Sequence, residues 1–466
     1  VCACALSLVA LLSACSATHS EEMLSVYDPY DQHDFIGAEA AINERLADES
    51  GMDEDELAVR GLPLALDASS GDVYLLLLEK AMIRLAQKDA KSAVEILREC
   101  RDQLDDHFQE DLSNFMVAAL SDDRALDYAG ADYEHILVRV MLCLCDLIAG
   151  NGDAYAYALQ VGERQEEIID SPLSAGDYQP RKRYSRVAIG AWLQGMILEA
   201  DNDYSGAQLA YERALSYDPG LEPLQLAVER VKASEGPAPG FGVVNVIYLG
   251  GRGPTYVEAV AEPTSTALKI AGIAATLVTG TLSPAVQPAE VPVPALDVAD
   301  RFVRGLDVSV PGDEAKIAVT THTVLDVNLV AEQQLEAMMP MIEGRAVLRR
   351  VIKASAGAVG ESAGYQMMGS KDGGTRAAGA GVAILSIVGS ALWAAAERAD
   401  TRSWGTLPSQ FQAGRLEVPE GIQTLTLGDG TSVQVRVRNG YHSYVLVVRP
   451  NLGKPGVAMV DANSQP

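Results

Sequence analysis

The stretch Arg186–Pro219 reads RVAIGAWLQGMILEADNDYSGAQLAYERALSYDP. Apolar residues recur at helical spacing from Arg186 to Ala200, and Asp201-Asn202-Asp203 interrupts them. A second helical run extends from Tyr204 to Tyr217 and stops at Asp218-Pro219. Two helices joined by so short a turn lie antiparallel. Small residues stand where such helices cross: Gly195 on the first, Ala207 and Ala214 on the second, with Tyr211 between them. A larger side chain at these positions would force the pair apart.

Over its full 34 residues this unit resembles a tetratricopeptide (TPR) repeat. Gly195, Ala207, Tyr211 and Ala214 match the positions that pack the repeat's helices, and Pro219 matches its stop. Ala191 stands at the usual Trp position, with Trp192 beside it. The same frame upstream puts Ala81 and Ala93 at small positions and Leu97 at the aromatic one; the pair Tyr133–Ile169 fits less well. Residues 34–233 therefore read as a TPR-like α-solenoid of one good and two degenerate repeats. A plain helical bundle is the simpler alternative. Stacked helix pairs expose a concave face that binds partners.

Beyond a Pro/Gly-rich linker at 234–242 the pattern changes to an α+β domain, 243–466. Val243–Leu249 reads as a buried strand, followed by the turn Gly250-Gly251-Arg252-Gly253-Pro254. That glycine cluster lacks the Gly-Lys-Ser/Thr ending of a phosphate loop, so it reads as a structural turn. Thr264–Thr281 and Asp326–Ala354 are helical patterns, the latter containing Pro340; Leu306–Val310 and Lys316–Val324 alternate like strands. Near the C-terminus, Ile422–Leu427, Ser432–Val437 and Ser443–Val448 are separated by Asp-Gly and Asn-Gly turns, which predicts a small antiparallel β-sheet.

The N-terminus carries Leu12-Ser13-Ala14-Cys15 after an apolar run, which resembles the type II signal peptide of bacterial lipoproteins. The expected signal peptide is 1–14, with Cys15 acylated and 15–33 forming the anchor and tether. The basic start of such a signal is missing, and the sequence begins at Val1. Ser16, rather than Asp, follows the anchor and favours the outer membrane over the inner one. An acylated Cys holds a chain at a membrane without a spanning helix. Two 20-residue stretches carry no charge, Ile270–Ala289 and Ala377–Ala396. Each is long enough to span a bilayer, but Pro284 and Pro288 interrupt the first, and the favoured reading is a buried core helix with membrane insertion as the alternative. The second is rich in Gly and Ala, which suits close helix packing.

The formal net charge of −28 repels nucleic acid and anionic lipid. Cys100, Cys143 and Cys145, an odd number, remain beyond the signal and do not make a disulfide framework. Six histidines show no zinc-ligand spacing, and no nucleophile-elbow or calcium-loop motif occurs. The segment Ala399-Asp400-Thr401-Arg402-Ser403-Trp404-Gly405-Thr406-Leu407-Pro408, with Arg415 and Val418-Pro419-Glu420-Gly421 after it, resembles a family of uncharacterised bacterial TPR-bearing lipoproteins. Tyr128–Glu134, Gly190–Pro219 and Val244–Pro254 agree with that family, while Asp127-Tyr128-Ala129-Gly130 departs from its Asn-Tyr-x-Gly. The resemblance implies a compartment and an architecture, and no catalytic residue. Asp400, Arg402, Trp404, Leu407 and Pro408 are its candidate functional residues. The plain alternative is that Arg402 pairs with a carboxylate and Trp404 packs the sheet against the helix before it.

The expected function is a lipid-anchored periplasmic adaptor on the outer membrane. It binds envelope-assembly proteins through its TPR-like helices, has no cofactor, metal or catalysis, and can oligomerise. The alternative is a membrane-associated export or pore component that uses Ala377–Ala396.

Overall fold

The computed structural model describes residues 18–51, 72–108, 127–174, 177–279, 290–310, 317–368, 398–453 and 459–464. Cys15, residues 280–289 and Ala377–Ala396 lie outside them. Among the described residues the chain is mixed α and β. No described helix is long and apolar enough to cross a membrane.

The N-terminal half is helical: α1 Leu24–Asp31, α2 Phe35–Ser50, α3 Val73–Ala86, α4 Ala90–Asp106, α5 Asp132–Ala149, α6 Ala154–Asp170, α7 Ile189–Ala200, α8 Tyr204–Tyr217 and α9 Glu222–Lys232. Each packs on the next in sequence. Asp34, Asp89 and Asp203 cap α2, α4 and α8, accepting the N–H of Gly37, Ser92 and Gly206. Gly51 and Gly150, in the left-handed region, end α2 and α5.

The helices form two rows. In α3 every residue but Arg84 is buried, and α5 and α7 are buried nearly as fully. A helix that is apolar all round is covered on every side. α4, α6 and α8 bury one stripe each and turn the rest to solvent. Burial all round also explains Cys143 and Cys145: side chains two apart on α5 point different ways, yet both thiols are buried and free, as is Cys100.

At the α7–α8 crossing, a Cβ on Gly195 would lie 2.5 Å from the Tyr211 ring. Ala207 and Ala214 are fully buried in the same cluster, against Leu224 and Val228 of α9. The Tyr211 hydroxyl donates to Glu199 at 2.8 Å, and Arg230 grips that carboxylate with two bonds of 2.7 and 2.8 Å. Pro219 lies just beyond α8.

The C-terminal half supplies the strands. A five-stranded sheet has the order β11 (Met459–Ser464), β10 (His442–Arg449), β1 (Phe241–Gly250), β7 (Gln410–Pro419) and β6 (His322–Asp326). A four-stranded sheet runs β5 (Ile317–Thr320), β4 (Asp307–Val310), β8 (Gly421–Leu427) and β9 (Ser432–Val437). β2 (Thr255–Ala261) and β3 (Val291–Asp297) make a ribbon, and α10 (Ser265–Thr279) packs along α11 (Val327–Met368). Pro340 lies inside α11.

One expectation needs correction here. The predicted three-stranded antiparallel sheet at 422–448 forms only its first hairpin, β8–β9. β10 leaves it and pairs parallel with β1, from Val243 with His442 to Gly250 with Arg449. Strand β10 is buried on both faces, the environment of a central strand rather than a hairpin edge. The Asn439-Gly440 turn, with Gly440 at φ +81°, carries the chain from one sheet to the other.

Alternation along β1 and β10 then builds three layers. Ile247, Leu249, Leu446 and Val448 join the core of α3, α5 and α7. Val244, Val246, Val445 and Val447 face the four-stranded sheet. The apolar core of the helices thus continues into the central sheet.

Gly195→Ala gains about 1 kcal/mol of helix propensity but must displace a ring held by Glu199. Gly195→Ala and Ala207→Trp should each lower the unfolding free energy by about 1–3 kcal/mol, the usual cost of overpacking. Denaturant titration checks this, and an unchanged midpoint in both would contradict the close crossing.

Candidate functional site

The resemblance segment runs as a strap from Arg398 to Ser409 that turns at Gly405-Thr406, and residues 401–410 are all buried. It lies across the inner helix row. Glu79 stands in the middle of α3 among leucines and is fully buried. Its carboxylate accepts the N–H of Gly405 at 2.8 Å, the N–H of Thr406 at 2.9 Å, the Tyr27 hydroxyl at 2.9 Å and the Thr406 hydroxyl. Glu134, equally buried in the first turn of α5, accepts the N–H of Trp404 at 2.8 Å, the N–H of Ala131 at 2.7 Å and the Tyr128 hydroxyl. Burial pushes both carboxyls above the ordinary range, against the downward pull of their donors.

Arg402 locks the leading end of the strap. Its Nε and Nη2 donate to Asp400 at 3.0 and 2.8 Å, and its Nη1 donates to Asp72 at 2.8 Å. Burial alone would raise the Asp400 carboxyl, but the guanidinium beside it holds it below the usual range. Trp404 and Leu407 are fully buried in the core shared with α3 and α5. Gly405 lies so close to the Tyr27 hydroxyl that a Cβ there would overlap it. Pro408 is buried, and Ser409 is tied to Gly251, Asn328 and Asp300.

The glycine turn after β1 has its role here. The Gly253 N–H donates to the Leu407 carbonyl at 2.6 Å, and a Cβ on Gly253 would lie 2.9 Å from that oxygen. Gly251, at φ +72°, has Ser409 against its other side. The turn lets two backbone segments approach closely, which only glycine permits.

A cavity of about 240 Å³ opens beside the strap's leading end. Its walls come from the loop Asp127–Ala131, the start of α5, the β2–β3 ribbon, α11 and residues 398–402. Asp400 and Arg402 belong to the wall. So does Asp132, which Arg181 grips at 2.8 and 2.9 Å and to which the Tyr184 hydroxyl donates at 2.7 Å. Among the described residues, no group of three or more His, Cys, Asp and Glu is placed to hold a metal ion.

The five candidate residues of the resemblance segment therefore sit on one strap. Asp400 and Arg402 reach the cavity, whereas Trp404, Leu407 and Pro408 are packed inside. Trp404 lies against α3 and α5; the stretch before the strap is outside the described residues. Gly195, Ala207, Tyr211 and Ala214 lie at the helix crossing and Pro219 just beyond α8; none of them lines the cavity. Sequence reasoning missed Glu79 and the role of Glu134. A signal existed for Glu79: a carboxylate beside Lys80 within a run of leucines must find donors inside. Compared with known proteins, the chain matches no family model, no curated relative and no solved structure.

A second buried polar cluster ties the helices to the central sheet. Glu199 lies 3.6 Å from Arg415 of β7, and the Nδ1 of His442 is 3.1 Å from the Asn245 amide. Burial, helped by Arg415 and Arg230, pushes the His442 imidazole down to about 4. Its unfolded value is about 6.5. Between these values the unfolded chain binds a proton that the folded chain does not, so stability falls as pH drops from 6.5 to 4.

Glu79→Gln puts an NH₂ group against strap N–H donors. The lost bonds should cost about 1–3 kcal/mol for each donor left unpaired, read by denaturant titration. A variant as stable as the parent would show that the strap is not held there. Across pH 6.5 to 4, His442→Gln should lose less stability than the parent, by up to about 3 kcal/mol. Parallel stability–pH curves would refute the assignment.

Proposed function

We propose that this chain is a lipid-anchored periplasmic adaptor whose TPR-like helices hold its own β-module and join envelope proteins, with no catalysis of its own. The observation that carries the reading is the recognition of a buried, turning segment by its backbone. Glu79 and Glu134 of the inner row accept three consecutive strap amides, of Trp404, Gly405 and Thr406. A helical groove takes a partner peptide in this way; here it takes the chain's own.

The turns support the repeat reading. Lys88 between α3 and α4, and Asn202 between α7 and α8, both adopt the left-handed region. Each is followed by an Asp cap whose N–H returns to a carbonyl five residues back, Arg84 and Leu198. The inner row is filled by the strap and the sheet, so partner contacts fall to the outer helix faces and the cavity. Acylation at Cys15 would hold the whole at the outer membrane, facing periplasmic and outer-membrane proteins, and a net charge of −28 disfavours nucleic acid. The alternative, an export or pore component, rests on Ala377–Ala396 alone.

Two measurements test the reading. Cys15→Ser should abolish incorporation of labelled palmitate and release the chain from the membrane fraction; persistent labelling would refute the anchor. In intact cells, a photo-cross-linker placed at the exposed Leu209 or at Asp400 should trap a discrete envelope protein. Failure at both positions, with the chain membrane-bound and folded, would refute the adaptor.

A further inference from the structure

A series of contacts fixes where the N-terminal segment enters the fold. Asp31, at the end of α1, meets Arg252 in the glycine turn after β1. Four residues earlier, Tyr27 lies against Gly405 in the middle of the strap. Earlier still, the Nδ1 of His19 is 3.4 Å from Asp72, which holds Arg402 at the strap's leading end. The short helix His19–Glu22 packs on β2, and Thr18 caps it. Read backwards, the segment runs outward from the end of β1, and Thr18 stands at the strap's leading end. Strand β1 runs the other way, from Gly250 beside the strap to Phe241, about 30 Å off. There the Gly440 N–H donates to the Phe241 carbonyl, with Tyr441 exposed beside it.

Three stretches of sequence suited to lipid join the fold at the first of these ends. Cys15 precedes Thr18 by three residues, at most about 11 Å of chain. A compact chain of 466 residues has a radius of gyration of about 23 Å, so this tether is too short to let the far end of β1 turn to the anchor's bilayer. The charge-free run Ala377–Ala396 ends two residues before Arg398, where the strap begins. The other such run, Ile270–Ala289, starts in α10 and ends beside Glu290, at the outer end of the ribbon, where Val291 pairs with Ala261. α11 reaches the same place, because Arg350 donates to the Glu290 carbonyl. Leu24, Val257 and Val260 are exposed apolar side chains on these elements. The acidic groups of the entry are engaged: Glu21 accepts the Thr18 N–H at 2.7 Å, Glu22 pairs with Arg45, and Glu258 pairs with Arg398. A net charge of −28 disfavours an anionic surface and leaves a zwitterionic one.

We propose that this end of the molecule, formed by the entry at Thr18, the leading residues of the strap and the β2–β3 ribbon, rests on a bilayer of zwitterionic lipid, with β1 pointing away from it. The proposal rests on the anchor reading at Cys15 and adds to it the face that meets the membrane. The acylated full chain, bound to vesicles of phosphatidylethanolamine and phosphatidylcholine that carry a small share of nickel-chelating lipid, tests it. Spin labels go on cysteines introduced singly at exposed positions, as Val260→Cys, Leu24→Cys or Tyr441→Cys; the native Cys100, Cys143 and Cys145 are buried. Nickel at the headgroups speeds the relaxation only of labels close to it. The labels at positions 24 and 260 should relax faster with nickel present, whereas the label at 441 should behave as it does on vesicles without nickel. Equal effects at both ends, or a stronger effect at 441, would overturn the proposal. A chain that does not float with the vesicles would refute the anchor and the proposal together. A chain that floats but fails the nickel test would refute this face alone and leave the anchor standing.

Discussion

Two carboxylates inside the helical layer, Glu79 and Glu134, need more hydrogen-bond donors than the helix backbones around them can give. A helix has spent its own N–H groups on its carbonyls, apart from those of its first turn. Leaving either carboxylate unpaired in an apolar core would cost several kcal/mol. The strap supplies three consecutive backbone amides, and tyrosine hydroxyls complete the sets. The need is mutual, because the strap runs buried and its own amides would be unpaired without the two glutamates. Helices and strap are therefore each other's condition for folding.

From this constraint the layering follows. With the strap and the central sheet lying on α3, α5 and α7, those helices have no solvent face. Their largely apolar surfaces are then consistent with stability rather than a liability, and the charged residues they bury, Glu79 and Glu134 among them, find partners inside. The close backbone approaches at Gly253, Gly251 and Gly405 bring the strap down to contact. The surface that a stack of helix pairs would offer to partners is largely occupied in cis.

Much of this was legible in the sequence, for local reasons. Helices α3 to α8 follow from apolar period and turn residues, and β1, β4 and the β8–β9 hairpin follow from alternation and Asp-Gly; the run read as one strand, Lys316–Val324, instead divides at Thr321 into β5 and β6, which lie in different sheets. The strap residues stood out through an unusual Asp-x-Arg-Ser-Trp pattern. What was not legible depends on distance. β10 follows an Asn-Gly turn, and local reasoning places it beside β9; its parallel pairing with β1, some 200 residues earlier, depends on burial of both its faces. The partnership of Glu79 with Thr406 spans 327 positions and has no local signature beyond a charge in the wrong setting. The cavity combines the loop before α5, β2–β3, α11 and the strap, which no single stretch could announce.

Hydrogen exchange at individual amides tests the central claim most directly. If Glu79 and Glu134 hold the strap as part of the core, the amides of Trp404, Gly405 and Thr406 exchange only with the global unfolding that also exposes α3 and α5. Their opening free energies should equal those of Leu77 and Leu142 and fall with them in denaturant. Strap amides that exchange through a local opening, orders of magnitude faster than those of α3 and α5, would contradict it.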